Sequence, residues 1–360
     1  MKGLAVSDLL GRTAELMAIP SPSHEEGALA DHIEGRLAAA PWLEVTRIGA
    51  NVIARTTGGR PSRIILAGHL DTVPANGNAT PRLDGDTLWG LGAADMKSGL
   101  AVMLELATTV EDAATELTYV FYAAEEVARE RNGLLAVAAV RPDLLSGEVA
   151  VLGEPTGAVA EAGCQGVVKV EITLGGLRAH SARPWMGTNA VHRLAPLLTR
   201  AARWGERSTV IDGCAYRETL QVVAVSGGVA TNVVPDLATV MVSFRFAPDR
   251  TPEEAVAVVH AVADPDLDTS LGDHVRVVDL APAAAPGLAH PVLARLVAAT
   301  GAAPRAKLGW TDVAFFAERG IPAVNFGPGD PEVAHAPDER VDRSQVDLVH
   351  ATLHSLLSAP

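Results

Sequence analysis

Residues 63–74, RIILAGHLDTVP, join an apolar run to a histidine and an aspartate that lie two positions apart. The run over 63–67 is rich in β-branched residues and ends in a turn, which is typical of a buried strand. In open α/β sheets, ligands and metals collect at the carboxyl ends of the strands. His69 is therefore a candidate metal ligand with Asp71 held nearby. The alternative is a histidine that caps a strand end, with the aspartate in the turn.

The composition is that of a globular protein large enough for two domains. The chain has 360 residues, of which 48% are hydrophobic and 20% are charged, values typical of a chain that buries a sizeable core. Its formal net charge of −14 argues against nucleic acids and anionic membranes as partners. Carboxylates that bind cations would account for part of this negative charge.

Cysteine usage and the absence of targeting patterns favour a cytoplasmic protein. The two cysteines, Cys164 and Cys214, show no CxxC spacing and indicate neither a disulfide framework nor a cysteine zinc site. Charged residues interrupt the first apolar positions, and no apolar run approaches the length of a membrane span. We therefore expect a cytoplasmic location.

The alternation of helix and strand patterns predicts an α/β protein that is interrupted by a smaller α+β domain. We predict helices over 5–18, 25–39, 98–110, 133–140, 189–204, 252–262, 291–299 and 311–318, and strands over 43–48, 51–55, 63–67, 117–123, 149–152, 167–174, 219–225, 238–246, 275–280 and 323–326. From about residue 165 the order becomes β-α-β-β-α-β. These patterns predict a larger α/β domain at 1–164 and 283–360, with a mixed, largely parallel sheet, and an inserted domain at 165–282.

Four further segments place carboxylates or an imidazole after predicted strands or at a helix start. They contain Asp95 in a Gly-rich turn, the pair Glu125-Glu126, Glu154 and His335. Taken singly, a helix cap, a solvated turn or a surface histidine would explain each of them. The pair is more informative, because two adjacent ionised carboxylates repel and need a cation or full solvation.

Together these nitrogen and oxygen donors suit a pair of zinc-like ions. Two neighbouring cations need one carboxylate that contacts both, with the other ligands divided between them. One glutamate of the pair Glu125-Glu126 can then bind metal while the other remains free as a general base. Cobalt and manganese accept the same ligands, so either could replace zinc.

The order of the motifs resembles that of the di-zinc aminoacylase and carboxypeptidase family of amidohydrolases over essentially the whole chain. The motifs are His69-x-Asp71, Asp95-Met-Lys, Glu125-Glu126, Gly-Glu154-Pro and His335. The resemblance implies a zinc-aminopeptidase-like catalytic domain and a ferredoxin-like inserted domain that acts as a lid. It also implies a homodimer formed through the inserted domain.

The resemblance assigns the metal ligands. Asp95 would bridge two zinc ions, His69 and Glu154 would complete one site, and Glu126 and His335 would complete the other.

The resemblance also assigns two residues that support the chemistry. Asp71 would orient and polarise His69. Glu125 would take a proton from the bridging water and pass it to the leaving amine. A cis peptide is implied between Asp95 and Met96.

Within the family, the chain is most similar to the actinobacterial succinyl-diaminopimelate desuccinylases. The segments that carry this likeness are RAHSARPW at 178–185, GGVATNVVPD at 227–236, FRF at 244–246 and GWTDV at 309–313. The similarity implies hydrolysis of N-succinyl-LL-2,6-diaminopimelate to succinate and LL-2,6-diaminopimelate, a step of lysine and diaminopimelate synthesis.

The same similarity implies that His180 reaches across a dimer and stabilises the oxyanion in the partner's site. A loop-capping histidine is the alternative. Arg245 suits a substrate carboxylate because its guanidinium is a planar fork, and a structural ion pair is its alternative. The further candidates for substrate binding are Asn232, Arg178, Arg183 and Thr311.

Two rival enzymes and one rival of another class remain open. An acetylornithine deacetylase or a general N-acyl-amino-acid amidohydrolase would share every metal ligand, and each would act on a small anionic N-acyl amino acid. A non-catalytic metal-dependent binding protein or scaffold is the third possibility. Glu125 argues against it, because zinc retention alone does not need that carboxylate.

Overall fold

The helices and strands follow the predicted α/β order in a computed structural model that describes residues 8–358. The helices are α1 (Leu9–Met17), α2 (Gly27–Leu37), α3 (Lys97–Thr109), α4 (Gly133–Val140), α5 (Ala190–Ala202), α6 (Pro252–Ala263), α7 (Pro291–Thr300), α8 (Val313–Ala317) and α9 (Arg343–Ser358). The strands are β1 (Leu43–Ile48), β2 (Asn51–Thr56), β3 (Arg63–His69), β4 (Arg82–Asp84), β5 (Thr87–Trp89), β6 (Glu116–Tyr122), β7 (Val149–Leu152), β8 (Glu161–Ala162), β9 (Gly166–Gly175), β10 (Ala179–His180), β11 (Arg207–Ile211), β12 (Cys214–Gly227), β13 (Val233–Val234), β14 (Leu237–Phe246), β15 (His274–Ala281), β16 (Arg305–Ala306), β17 (Ala323–Asn325) and β18 (Arg340–Asp342).

The chain forms two units. The first runs as far as Gly163 and also includes Pro286–Arg305 and the residues from Phe315 onward, and the second comprises Cys164–Ala285 and Ala306–Ala314. The sequence assigned 306–314 to the first domain, whereas its contacts place it in the second unit. The domain boundaries at 164/165 and 282/283 remain a proposal.

The first unit is built on a mixed eight-stranded sheet in the order β1-β2-β6-β3-β7-β17-β8-β16. Its centre is parallel, since β3 pairs in parallel with both β6 and β7, and β7 pairs in parallel with β17. Every residue of β6 and β7 is buried. Burial on both faces explains why these strands are apolar at nearly every position instead of alternating.

The parallel centre fixes where the polar turns lie. Strands β3, β6, β7 and β17 all point the same way, so their carboxyl ends meet at one edge of the sheet. His69 ends β3, and the segments that follow the four strands carry, in order, Asp71, the Glu125-Glu126 pair, Glu154 and His335.

The second unit contains a five-stranded antiparallel sheet in the order β11-β12-β14-β9-β15. Without β11, the four strands and the two helices α5 and α6 reproduce the predicted ferredoxin-like arrangement. Along β14, buried residues alternate with more exposed ones, as expected when one face of a sheet packs against helices. Strand β11 was not predicted.

The sequence also predicted none of the short strands β4, β5, β8, β10, β13, β16 and β18, and two further differences lie near the ends of the chain. The first three positions of the helix predicted over 5–18 lie outside the described residues. Helix α9 was missed, although Val346, Val349 and Leu353 bury one of its faces. Among residues 8–358, no helix combines the length and apolar character that crossing a membrane requires.

A close approach between α3 and the end of β7 generates a prediction about Gly99. A Cβ at this position would lie 2.2 Å from the carbonyl oxygen of Gly153, next to Glu154. Since the obstacle is backbone, Gly99→Ala should lower the free energy of unfolding by about 1–3 kcal/mol. Denaturant unfolding monitored by circular dichroism measures this change.

Gly35→Ala is the matched control, because Gly35 is also helical but a Cβ added there would meet nothing within 4 Å. It should leave stability unchanged or raise it by up to about 1 kcal/mol. Equal effects of the two substitutions would contradict the close packing of α3 on β7.

Candidate metal centre

The five residues predicted as metal ligands lie close together in the first unit. His69 ends β3, Asp95 lies in the turn before α3, and Glu126 and Glu154 follow β6 and β7. His335 lies in the loop after β17, in a left-handed backbone conformation with φ 63°. One ligand atom each from His69, Asp95 and Glu126 fall within 4.8 Å of one another.

The two carboxylate oxygens of Asp95 face different imidazoles. Its Oδ1 lies 3.0 Å from Nε2 of His69, and its Oδ2 lies 3.4 Å from Nε2 of His335. Beyond His69 lies Oε1 of Glu154 at 4.0 Å, and beside His335 lies Oε1 of Glu126 at 2.7 Å. The donors thus divide into two groups that share one carboxylate.

The surrounding carboxylates shift the pKa values of both imidazoles. Burial alone would lower the pKa of His69, but hydrogen bonds to Asp71 and Asp95 raise it well above its usual value. Hydrogen bonds to Asp95 and Glu126 raise the pKa of His335 to about 10. Three carboxylates around two imidazoles stabilise positive charge, and a divalent cation competes with protons for the same nitrogens.

Asp71 connects His69 to the turn that carries the glutamate pair. Nδ1–H of His69 donates to the main-chain oxygen of Asp71 at 3.0 Å, which leaves Nε2 facing Asp95. The Asp71 carboxylate accepts the N–H groups of Glu125 and Glu126, each at 3.0 Å. Burial opposes ionisation of Asp71, but its contacts with His69 and other donors lower its pKa to about 2.

The hydrogen bonds between Asp71 and the backbone of Glu125 and Glu126 were not predicted from the sequence. The sequence predicted only that Asp71 orients His69. The two segments are more than 50 residues apart, and no local pattern reports such a contact. The cis peptide between Asp95 and Met96 that the family resemblance implied is present.

Glu339 is a further site residue that the sequence did not single out. This buried carboxylate accepts the N–H groups of Ala94 and Asp95, each at 3.0 Å, and so holds the turn that contains Asp95. Burial, reinforced by the charge of Asp95, raises its pKa to about 7. The sequence offered one signal for this role, because Glu339 lies only four residues after the predicted ligand His335.

The six other predicted site residues all lie in the second unit. His180 is exposed on β10, and its Nδ1 accepts the N–H of Ala182 at 3.0 Å. Asn232 precedes β13, the strand that pairs with β10. Thr311 is buried, and its main-chain oxygen lies 3.7 Å from Sγ of Cys164. Both cysteines are buried free thiols.

The three arginines of this unit differ in their partners. Arg178 is exposed, and its Nε and Nη2 donate to both carboxylate oxygens of Asp236 at 3.0 and 2.8 Å. Arg183 is exposed. Arg245 is half-buried, and within the described part of the chain no carboxylate oxygen lies within 4.0 Å of its guanidinium.

A family comparison gives the class of the protein. The family model described as peptidase family M20/M25/M40 matches residues 65–359. The chain belongs to peptidase family M20/M25/M40.

Similar proteins that carry enzyme names indicate a particular branch of this family. The chain is 51% identical over 335 residues, 93% of each chain, to a protein of Mycobacterium tuberculosis that is provisionally named the succinyl-diaminopimelate desuccinylase DapE. It is 46% identical over 362 residues to the succinyl-diaminopimelate desuccinylase of Corynebacterium glutamicum, covering 98% of this chain and 97% of that one. The crystal structure of aminopeptidase PepT from Bacillus cereus matches with a TM-score of 0.80 at 20% identity over 97% of each chain, which supports the fold. The predicted family and its desuccinylase branch are thereby confirmed.

Proposed function

We propose that this protein is a metal-dependent amide hydrolase that converts N-succinyl-LL-2,6-diaminopimelate and water to LL-2,6-diaminopimelate and succinate. The names of the actinobacterial relatives, at 51% and 46% identity over nearly the whole chain, support the substrate. One observation supports the chemistry. The two carboxylate oxygens of Asp95 face different imidazoles, and the nearby turn carries Glu125 in addition to Glu126.

The donor set fits two zinc ions. Asp95 would contact both ions, His69 and Glu154 would complete one site, and Glu126 and His335 the other. All the donors are nitrogen or oxygen, so cobalt or manganese can substitute. When bound, such ions polarise the scissile carbonyl and make the attacking water easier to deprotonate.

Glu125 is the group that moves protons. Its neighbour Glu126 faces His335, so the two carboxylates of the pair have separate tasks. Glu125 accepts a proton from the water that attacks the amide carbon, and it later delivers that proton to the leaving nitrogen. Asp71 keeps Glu125 in place through the Glu125 N–H.

The hydrogen bond at Nδ1 of His180 favours the ring tautomer that an oxyanion donor needs. Because its Nδ1 accepts a hydrogen bond from Ala182, the neutral ring carries its proton on Nε2. Nε2–H is then available to donate to the carbonyl oxygen of the scissile amide as negative charge develops there. We assign this donation to the partner subunit's active site.

Arg245 supports recognition of an acidic substrate. A half-buried guanidinium with no ion pair in the described residues retains its full donor fork for a ligand carboxylate. Asn232, Thr311 and Arg183 complete the proposed set of substrate contacts. Arg178 is already paired with Asp236, so its contribution would require exchanging that partner for the substrate.

The second unit offers a surface for the proposed homodimer. Residues 219–227 of β12 pair with β14 on one side, and no described strand covers the other. Val223 and Val225 of this stretch are 58% and 53% exposed, and Val229, two residues beyond β12, is 65% exposed. An uncovered strand edge with exposed valines favours association with a second copy. The cytoplasmic location stays a prediction.

A substrate panel tests the proposed activity. The zinc-loaded protein should hydrolyse N-succinyl-LL-2,6-diaminopimelate with a kcat/KM on the order of 100-fold above that for N-acetylornithine or simple N-acyl amino acids, because only this substrate carries carboxylates on both sides of the scissile amide. Release of the free amine measures turnover. A higher kcat/KM for N-acetylornithine would instead favour a deacetylase.

Mixing two inactive variants tests whether His180 acts in the partner's site. Glu125→Gln should retain its metal but lose activity by orders of magnitude, and His180→Ala should be strongly impaired. After subunit exchange, each mixed dimer has one intact site, so activity per site should recover to about a quarter of the wild-type value.

The control mixes Glu125→Gln with the double variant Glu125→Gln/His180→Ala, which should remain inactive. Native mass spectrometry establishes that subunits have exchanged. Mixed dimers of the two single variants that stay inactive would show that His180 does not serve the partner's site.

A further inference from the structure

A short polar segment near the N-terminus connects two turns of the candidate metal centre. Residues 21–26, SPSHEE, join α1 to α2 and precede the range 65–359 that the family model matches. We call them the polar strap. Its first residue is Ser21, whose Oγ–H donates to the main-chain oxygen of Leu70 at 2.7 Å. The main-chain oxygen of Ser21 accepts the N–H of Thr72 at 2.9 Å.

Two side chains of the polar strap point at the turns themselves. Ser23 Oγ donates to Oδ2 of Asp71 at 2.7 Å. Glu26 is only 3% exposed, and its Oε1 accepts the N–H of Ala124 at 3.0 Å and that of His24 at 2.9 Å. These two side chains of the polar strap thus contact Asp71, in the turn after β3, and Ala124, the residue that precedes Glu125.

Side-chain oxygens accept the backbone N–H groups of the turn over 123–126. The N–H groups of four consecutive residues each donate to a side-chain oxygen. Ala123 donates to Asn51, Ala124 to Glu26, and Glu125 and Glu126 to Asp71, at 2.9–3.0 Å. No helix or strand ladder binds these four N–H groups, so the three acceptors determine where they point. On the carbonyl side, the N–H of Gly133 donates to the main-chain oxygen of Ala123 at 2.8 Å.

Ala124 is the position in this turn that most needs such support. Its φ is 59°, in the left-handed region that residues with a Cβ adopt only at a cost. The conformation persists only where surrounding contacts over-determine it. The Ala124 backbone sets the direction in which Glu125 and Glu126 leave the turn, so the Glu26 contact bears directly on both carboxylates.

We propose that Glu26 is a positioning residue for the general base, which acts by holding the Ala124 N–H from the polar strap. The proposal rests on the role of Glu125 given above. Without the Glu26 oxygen, the Ala124 N–H would be buried without an acceptor and the left-handed turn would relax. Glu125 would then lose its alignment with the scissile amide. Ser23 plays a smaller supporting part through Asp71.

Three variants and a neighbouring control test the proposal. In Glu26→Ala, kcat should fall about 10- to 100-fold at saturating zinc while KM stays within about 3-fold, because misplacement of a reacting group affects the chemical step. Glu26→Gln keeps an oxygen that can accept both N–H groups and should stay within about 3-fold of the wild type. Ser23→Ala should lower kcat by less than Glu26→Ala.

Glu25→Ala is the matched control, because Glu25 is the exposed neighbour of Glu26 in the same strap and should have wild-type kinetics. Hydrogen–deuterium exchange of the peptide over 121–128 gives a readout independent of activity. Exchange should be faster in Glu26→Ala and unchanged in Glu26→Gln and Glu25→Ala.

Either of two results would overturn the proposal. One is a Glu26→Ala variant that melts at a lower temperature but keeps its kcat and its exchange pattern, which would leave Glu26 a purely structural role. The other is a Glu26→Gln variant as impaired as Glu26→Ala, which would show that the acceptor oxygen is not what matters.

Failure of the proposed function would look different. In that case the wild type would not hydrolyse N-succinyl-LL-2,6-diaminopimelate. The role of Glu26 would still be decided by two measurements. One is the ratio of kcat values between the variants on the N-acyl substrate that the protein does hydrolyse, and the other is the hydrogen–deuterium exchange.

Discussion

The buried carboxylate of Asp71 is the interaction on which the rest of the site depends. An ionised carboxylate inside a protein is costly unless every oxygen has donors, and Asp71 meets that requirement with two consecutive backbone N–H groups and a serine hydroxyl. Its main-chain oxygen meanwhile fixes the ring of His69. One residue therefore ties the turn after β3 to the turn after β6. The predicted ligands beside these turns, His69 and Glu126, belong to different groups of donors.

A surplus of negative charge explains why this arrangement favours cations. Asp95, Glu126 and Glu154 surround two imidazoles, and the pKa of Asp95 is lowered despite burial because both imidazoles lie beside it. Buried groups of one sign are stable together only when opposite charge is supplied. Protons on the histidines supply part of it, and divalent ions would supply more.

The part of the site that could be predicted from sequence is the part that local patterns encode. Strands β3, β6 and β7 were identified because buried parallel strands are unbroken apolar runs. His69, the pair Glu125-Glu126 and Glu154 became candidates because polar residues directly after such runs are expected at the carboxyl edge of the sheet. Which glutamate of the pair binds metal came only from the family resemblance.

The contacts that could not be predicted join distant segments. Glu26 meets Ala124 across 98 residues, and Glu339 meets Asp95 across 244. A buried glutamate is indistinguishable in sequence from a solvated one, because its partners are backbone N–H groups that every residue type carries. The assignment of 306–314 to the second unit likewise depends on tertiary packing, which no local period reports. Helix α9 is a different case, because Val346, Val349 and Leu353 recur at helical spacing and were overlooked in the sequence.

Anomalous X-ray diffraction from zinc-loaded crystals, collected on both sides of the zinc absorption edge, tests the central claim most directly. The account predicts two zinc peaks per chain, one among His69, Asp95 and Glu154 and the other among Asp95, Glu126 and His335. A single peak, or zinc that does not contact Asp95 at both positions, would contradict the shared-carboxylate site.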